Sequence, residues 1–224
     1  MDPSQGKVLN TETCRFPVAR EGFILILPPA AVTVALLGLS FYIPAGFFAL
    51  LTLFVIYFFR DPERSSPPEE KAVLSPADGK VIQIESCFEE RFLKGPAMKI
   101  SIFMSLFNVH INRVPVTGRI VGRFYSPGKF FSANLDKASL LNEQNALLLE
   151  TPDKTRLVII QIAGLIARRI VCRVTDGDPV ARGQRFGLIR FGSRLDVYLP
   201  QNAKIQVQLG QKVFGGQSIL GILS

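Results

Sequence analysis

Ile189-Arg190-Phe191-Gly192-Ser193-Arg194-Leu195-Asp196-Val197-Tyr198-Leu199-Pro200 is the stretch from which this chain is best read. Two strand-like runs, Phe186 to Phe191 and Leu195 to Leu199, flank a Gly-Ser dipeptide. Most Gly-Ser pairs are plain turns. Between two strands, the Ser193 hydroxyl can be bent back onto the carbonyl carbon of Gly192. Gly192 has no Cβ to block that approach, and it tolerates the strained backbone the attack requires. Cleavage there would separate Met1–Gly192 from Ser193–Ser224. The new N-terminal residue could become an electrophilic group made from the chain itself.

The strand pattern extends outward from this point. Val73-Leu74, Lys80 to Ile84, Met98 to Ile102, Arg119 to Phe124, Ala146 to Glu150, Leu157 to Ala163, Ile170 to Val174, Asp196 to Leu199 and Lys204 to Gln208 also read as strands, broken by Gly, Pro, Asn and Asp. One helix is expected between Ala133 and Asn142. Gly177-Asp178-Pro179-Val180-Ala181-Arg182-Gly183-Gln184 resembles Gly210-Gln211-Lys212-Val213-Phe214-Gly215-Gly216-Gln217. Both look like the tight turns of lipoyl- or biotinyl-type barrel-sandwich domains and are assigned to the fold. The expected class is mainly β (α+β), a barrel-sandwich-like domain over residues 65–224. A polar linker, Glu63 to Lys71, leads into it.

Residues 1–64 read differently. No charged residue occurs from Gly22 to Phe59, a run longer than the about 20 residues that one untilted span needs. Tyr42-Ile43-Pro44-Ala45-Gly46 interrupts it with turn formers. The expectation is a helical hairpin over about 23–59, with arms Phe23 to Phe41 and Ala45 to Phe59. The second arm is short, so a hairpin that spans the bilayer and one that dips into a single leaflet both fit. A buried soluble helix pair is the competing reading. Arg15 and Arg20 flank one end, and Arg60 and Arg64 the other. The positive-inside tendency then places the domain at the cytoplasmic face of the cell membrane.

The 224 residues carry a formal net charge of +8 and one histidine. No basic run is interleaved with aromatics, so nucleic acid is not an expected partner. Anionic lipid headgroups suit a basic domain tethered to a membrane; a solvated basic surface with no partner is the bland alternative. Cys14, Cys87 and Cys172 are widely spaced and odd in number, which fits a reducing compartment. With no paired ligand spacing, no metal site is expected.

Five segments carry chemistry-bearing residues in order. They are Ser75-Pro76-Ala77-Asp78-Gly79-Lys80-Val81; Phe107-Asn108-Val109-His110-Ile111-Asn112-Arg113-Val114-Pro115; Tyr125 to Phe130 continuing through Asp136 to Glu143; Gln161 to Ile170; and Phe191-Gly192-Ser193-Arg194. Together with Phe58-Phe59-Arg60-Asp61-Pro62-Glu63-Arg64, this set resembles the phosphatidylserine decarboxylase proenzymes of the short prokaryotic type. The resemblance implies a pyruvoyl group formed from Ser193 after self-cleavage at Gly192-Ser193. It also implies an anionic phospholipid substrate, membrane association, and a heterodimer of the two cleaved chains, with a higher homo-oligomer left open. The substrate could be a diacyl phosphatidylserine or an ether-linked archaeal analogue.

Within that resemblance, His110 is the candidate base and proton donor, since histidine ordinarily titrates near neutrality. Asp78 could orient its imidazole. Arg113, Arg168 and Arg169 are candidates for phosphate or carboxylate contact. Arg168 and Arg169 alternate faces in a strand, so one of the two would face the site. Longer members of the family carry His-x-x-His where this chain has His110 and then Arg113. Either His110 serves both maturation and turnover, or cleavage uses another base. The competing class is a non-enzymatic membrane-anchored carrier or adaptor, because Asp136-Lys137-Ala138 echoes a lipoyl-type lysine. That lysine does not lie midway between the two Gly-Val-Gly repeats, where a carrier lysine should sit.

Overall fold

The structure, a computed structural model, describes residues 17–128, 142–164, 169–190 and 192–224. It separates into two compact units, Glu12–Glu63 and a unit containing Arg64–Ser224.

The first unit is a helical hairpin of α1 (Phe23–Gly38) and α2 (Tyr42–Phe58), packed on each other. The break falls at Leu39 to Phe41, ahead of the expected Tyr42–Gly46, with Ser40 at φ 62°. Pro44 lies in the first turn of α2, where its missing N–H has no intrahelical partner to lose. That is why the turn formers open the second helix and do not make the turn. Both helices turn apolar side chains outward: Ile24, Leu27, Leu50 and Leu53 are exposed. Arg20–Gly38 is long and apolar enough to cross a bilayer, and α2 is shorter. The two ends of the hairpin meet: Ala19 N donates to Phe59 O at 2.8 Å, and Asp61 N to Pro17 O at 2.7 Å. Chain entry and exit therefore lie side by side.

The second unit is mostly β. An eight-stranded antiparallel sheet runs in the order β13 (Lys212–Val213), β2 (Gly79–Glu89), β3 (Gly95–Met104), β11 (Ser193–Pro200), β7 (Arg156–Ala163), β6 (Gln144–Glu150), β5 (Gly118–Ser126), β9 (Pro179–Val180). Two three-stranded sheets complete it. One is β1 (Ala72–Leu74), β14 (Ile219–Ile222), β12 (Lys204–Ile205); the other is β4 (Ile111–Arg113), β10 (Arg185–Ile189), β8 (Ile170–Cys172).

The expected strands fall on observed ones, with β2 and β3 longer than their apolar runs. β4, β9 and β13 carried no strand signal, because two or three residues are too few to show a period; β14 is the small apolar strand that follows Gln217 of the second repeat. Of the helix expected between Ala133 and Asn142, all but its last residue lies outside the described residues. Asn142 itself makes a β-bridge.

β11 is the spine of the large sheet. Leu195, Val197 and Leu199 enter the main core with Ile100, Ile102, Leu157 and Ile159. The alternate residues face a second cluster of Ala146, Val158, Ile160 and Ile162, with Tyr198 packed against it. Burial on both faces explains why β7 reads as a nearly continuous apolar run instead of alternating.

The internal repeat closes the sheet. Its two valines form the short edge strands: Val180 pairs with Gly118 in β5, and Val213 with Gly79 in β2. These are opposite edges, yet a Cβ placed on Gly216 would lie 3.8 Å from the Gly183 Cα. The sheet is therefore curled until its two edge turns touch.

Gly79 sits under tight constraint, since a Cβ there would approach the Phe103 carbonyl oxygen to 2.2 Å. Gly79→Ala should lower unfolding free energy by about 2–3 kcal/mol through overpacking. Gly95→Ala, whose nearest neighbour is 3.8 Å away, should stay within about 0.5 kcal/mol. Denaturant unfolding of the detergent-solubilised variants checks this, and equal stabilities would contradict the packing described.

Candidate active site

Ser193 is the first residue of β11, in register with Met104 at the end of β3 and Ala163 at the end of β7. It is fully buried. Its Oγ donates to the Met104 Sδ at 3.3 Å, a weak acceptor that barely restrains the hydroxyl. Gly192 holds φ +66°, and a Cβ there would meet nothing within 4 Å. Backbone conformation, and not lack of room, calls for glycine at this position.

A buried chain of amides supports Met104 from the core side. Asn112 Nδ2 reaches Met104 Sδ at 3.9 Å, and Gln161 Nε2 donates to Asn112 Oδ1 at 2.8 Å. Asn145 Nδ2 donates to Gln161 Oε1 at 2.9 Å, and Arg123 Nε to Asn145 Oδ1 at 3.1 Å. A satisfied network of this kind fixes one side-chain arrangement, since an unpaired amide in the core is costly. On the other side of Ser193, Asn142 Nδ2 donates to Ala163 O at 2.7 Å. Glu143 accepts from the Tyr125 hydroxyl at 3.2 Å. Burial, and then the Glu143 carboxylate, push the Tyr125 phenol above its ordinary value.

His110 ends the loop that leaves β3 at Met104, so it belongs to the same end of the sheet. It is buried, with Nδ1 3.0 Å from the Asn108 carbonyl oxygen. A carbonyl can only accept, so that contact assigns the Nδ1 position a proton in the neutral ring and leaves Nε2 as its basic nitrogen. The Asn108 side chain in turn accepts from Ser105 N at 2.8 Å and Ser105 Oγ at 2.7 Å. The loop carrying the imidazole is thus tied down at its start.

Asp78 precedes β2, across β3 from Ser193. Its carboxylate is gripped by both terminal nitrogens of Arg64, with Nη2 to Oδ2 at 2.7 Å. The Gly215 N–H adds a third bond at 2.8 Å, and Arg64 Nη1 also donates to the Gly215 carbonyl at 2.8 Å. Arg64 is the residue that sequence reasoning missed, having counted it as a flank of the hairpin. Its place in the Phe58–Arg64 segment was the available signal.

The arginines divide. Arg113 lies in β4, buried, and donates to Gly183 O at 3.0 Å beside Gly216, so it braces the two repeat turns. Arg169 is exposed just ahead of β8, and its carbonyl accepts from Arg190 N at 3.3 Å. Arg168 and Phe191 lie outside the described residues. Arg194, on the opposite face of β11 from Ser193, forms a fully buried pair with Asp196: Nε to Oδ1 at 2.6 Å and Nη2 to Oδ2 at 2.7 Å. Burial, and then Asp196, drive the Tyr198 phenol upward. Among the described residues no group of three or more His, Cys, Asp or Glu side chains could hold a metal ion.

A buried serine behind a left-handed glycine, with a histidine at the same sheet end, defines a candidate self-processing centre. The family model for phosphatidylserine decarboxylase matches residues 51–221. A phosphatidylserine decarboxylase proenzyme of Geotalea uraniireducens is 54% identical over 92% of this chain and 97% of its own length. The proenzymes of Geobacter sp. strain M21 and Syntrophus aciditrophicus are 50% and 51% identical, covering 96% and 91% of this chain and 99% and 96% of their own. The chain belongs to the phosphatidylserine decarboxylase family.

The Arg64–Asp78 pair has a measurable consequence. Arg64→Met should cost about 3–5 kcal/mol, because it strands a buried carboxylate. Adding Asp78→Asn should recover part of that loss. A double-mutant cycle by denaturant unfolding measures the coupling, and additive losses would refute the buried pairing.

Proposed function

We propose that this chain is the precursor of a pyruvoyl-dependent enzyme that decarboxylates phosphatidylserine to phosphatidylethanolamine and CO₂, and that it matures by cutting itself at Gly192-Ser193. The observation that carries the maturation step is Ser193 buried at the head of the central strand, behind Gly192 at φ +66°. Ser193 Oγ attacks the Gly192 carbonyl carbon, the peptide C–N bond breaks, and the freed amine takes the hydroxyl proton. An ester joins the two halves. A base removes the Ser193 Cα proton, the Gly192 carboxylate leaves from Cβ, and dehydroalanine results. Addition of water and loss of ammonia give the terminal pyruvoyl group.

The site fits that group. An uncharged group there would take the place of the buried Ser193, beside the Met104 thioether. When present, it supplies an electron sink for the pair left behind as CO₂ departs. His110 Nε2, the basic nitrogen of the neutral ring, first takes up a proton, and the protonated ring then returns it to the substrate carbon. The exposed guanidinium of Arg169 is a candidate for substrate phosphate or carboxylate, as is Arg168. Arg113 acts through the turns it braces.

The two halves stay together after the cut. Ser193–Ser224 contains β11, β12, β13 and β14, and β11 is hydrogen-bonded between β3 and β7 from Ser193 through Tyr198. This pairing supports a heterodimer of the two cleaved chains. The apolar hairpin is the proposed membrane anchor, and Arg20 and Arg60 at its ends favour the cytoplasmic side. Lys137, on which the carrier alternative rested, lies outside the described residues.

Ser193→Ala should remain one inactive chain, because no hydroxyl can attack. His110→Ala should slow cleavage by several orders of magnitude and abolish CO₂ release, with Asp78→Asn milder. A cleavage time course on gels, run beside CO₂ release, reads both steps. Normal cleavage by His110→Ala with lost turnover would assign maturation to another base, and normal values of both would remove His110 from the site.

Deleting Gly22 to Phe59 should release the protein from membranes while the β-unit still folds and cuts itself. Sedimentation of the deleted form with lipid after a high-salt wash would show that the anchor lies elsewhere.

A further inference from the structure

The β13 edge of the large sheet carries a feature that decarboxylation leaves unused. Lys212 on β13 stands directly opposite Lys80 on β2, and both are exposed. Like charges directly opposed across an antiparallel pair are destabilising. Among the described residues, neither ammonium has a carboxylate within salt-bridge distance.

Two large apolar side chains stand beside them, Leu209 at 69% and Phe214 at 52% exposure. Phe214 directly follows β13, two positions after Lys212. The turn carrying Leu209 is fastened to β2: Gly210 N donates to Val81 O at 2.8 Å, and a Cβ on Gly210 would lie 3.7 Å from the Lys80 Cε. Lysines and exposed apolar groups thus form one patch on adjoining backbone. The patch lies at the sheet end that holds Ser193. Lys80 is in register with Phe103, and the next residue of β3, Met104, is in register with Ser193. Two strand spacings amount to about 10 Å.

We propose that this patch docks the β-unit onto an anionic phospholipid surface, with Lys80 and Lys212 on the phosphates and Leu209 and Phe214 in the headgroup boundary. Two unneutralised cations call for anions, and each lysine near such a surface contributes attraction. Exposed apolar side chains beside cations match an interface that is apolar on one side and charged on the other. The choice of lipid as occupant rests on the phospholipid reading above. Docking would bring the Ser193 end of the sheet to the surface where the substrate headgroup lies.

The chain contains no tryptophan, so a single introduced one reports without background. Full-length Phe214→Trp is reconstituted in phosphatidylcholine vesicles, with and without phosphatidylglycerol. With the anionic lipid, its emission should shift to the blue and be quenched by lipids spin-labelled near the headgroup. Adding Lys80→Gln and Lys212→Gln should reduce the docked population by on the order of tenfold. Phe88→Trp is the control, 64% exposed at the far end of β2, and it should respond to neither lipid. An unshifted Phe214→Trp emission in anionic vesicles overturns the proposal, as does equal quenching of the Phe88→Trp control. CO₂ release measured on the same vesicles keeps the decarboxylase reading separate, because it can persist when docking fails.

Discussion

Everything at the candidate site depends on where β11 begins. The strand is hydrogen-bonded on both sides, to β3 and to β7, from Ser193 through Tyr198. The residue before it sits in the left-handed region, at φ +66°. Regular pairing therefore starts abruptly at the serine. A hydroxyl held at such a boundary has its backbone fixed on one side and a left-handed glycine turn on the other. The same pairing would keep a chain end created at Ser193 in place, where an ordinary terminus frays.

Holding that strand requires polar groups in places that normally exclude them. Arg194 and Asp196 lie fully buried on the outer face of β11, and Arg64 grips Asp78 beside β2. An amide chain from Arg123 to Met104 crosses the core below Ser193. Buried charge carries a desolvation penalty that Coulomb attraction recovers only when geometry is good. Both ion pairs meet that condition through bidentate contact. Each arrangement tolerates one side-chain geometry, which is what a reaction between neighbouring residues needs.

The candidate centre was more legible in the sequence than its surroundings. Gly192-Ser193 stood out because strand-like runs flank it, and the apolar hairpin because charge is missing over a long stretch. The long strands were legible from composition. The turn of the hairpin was misplaced because Pro44 suits a first helical turn as well as a loop. Short strands such as β4 and β13 left no trace, since long-range pairing, and not local pattern, makes them strands. Arg64 was invisible as a partner of Asp78 for the same reason: contacts between distant segments have no period. The repeat was seen as two turns, but that Gly183 and Gly216 touch, curling the sheet, is a property of the assembled fold.

The central claim is that Ser193 becomes a pyruvoyl group through attack on Gly192. The most direct test is the intact mass of the fragment that begins at position 193, from wild-type protein purified without reductant-sensitive steps. The account predicts a fragment ending at Ser224 and lighter by one ammonia than the same peptide starting with serine. A fragment retaining an N-terminal serine would show simple proteolysis, and a single 24.8 kDa chain that still releases CO₂ from phosphatidylserine would contradict the account outright.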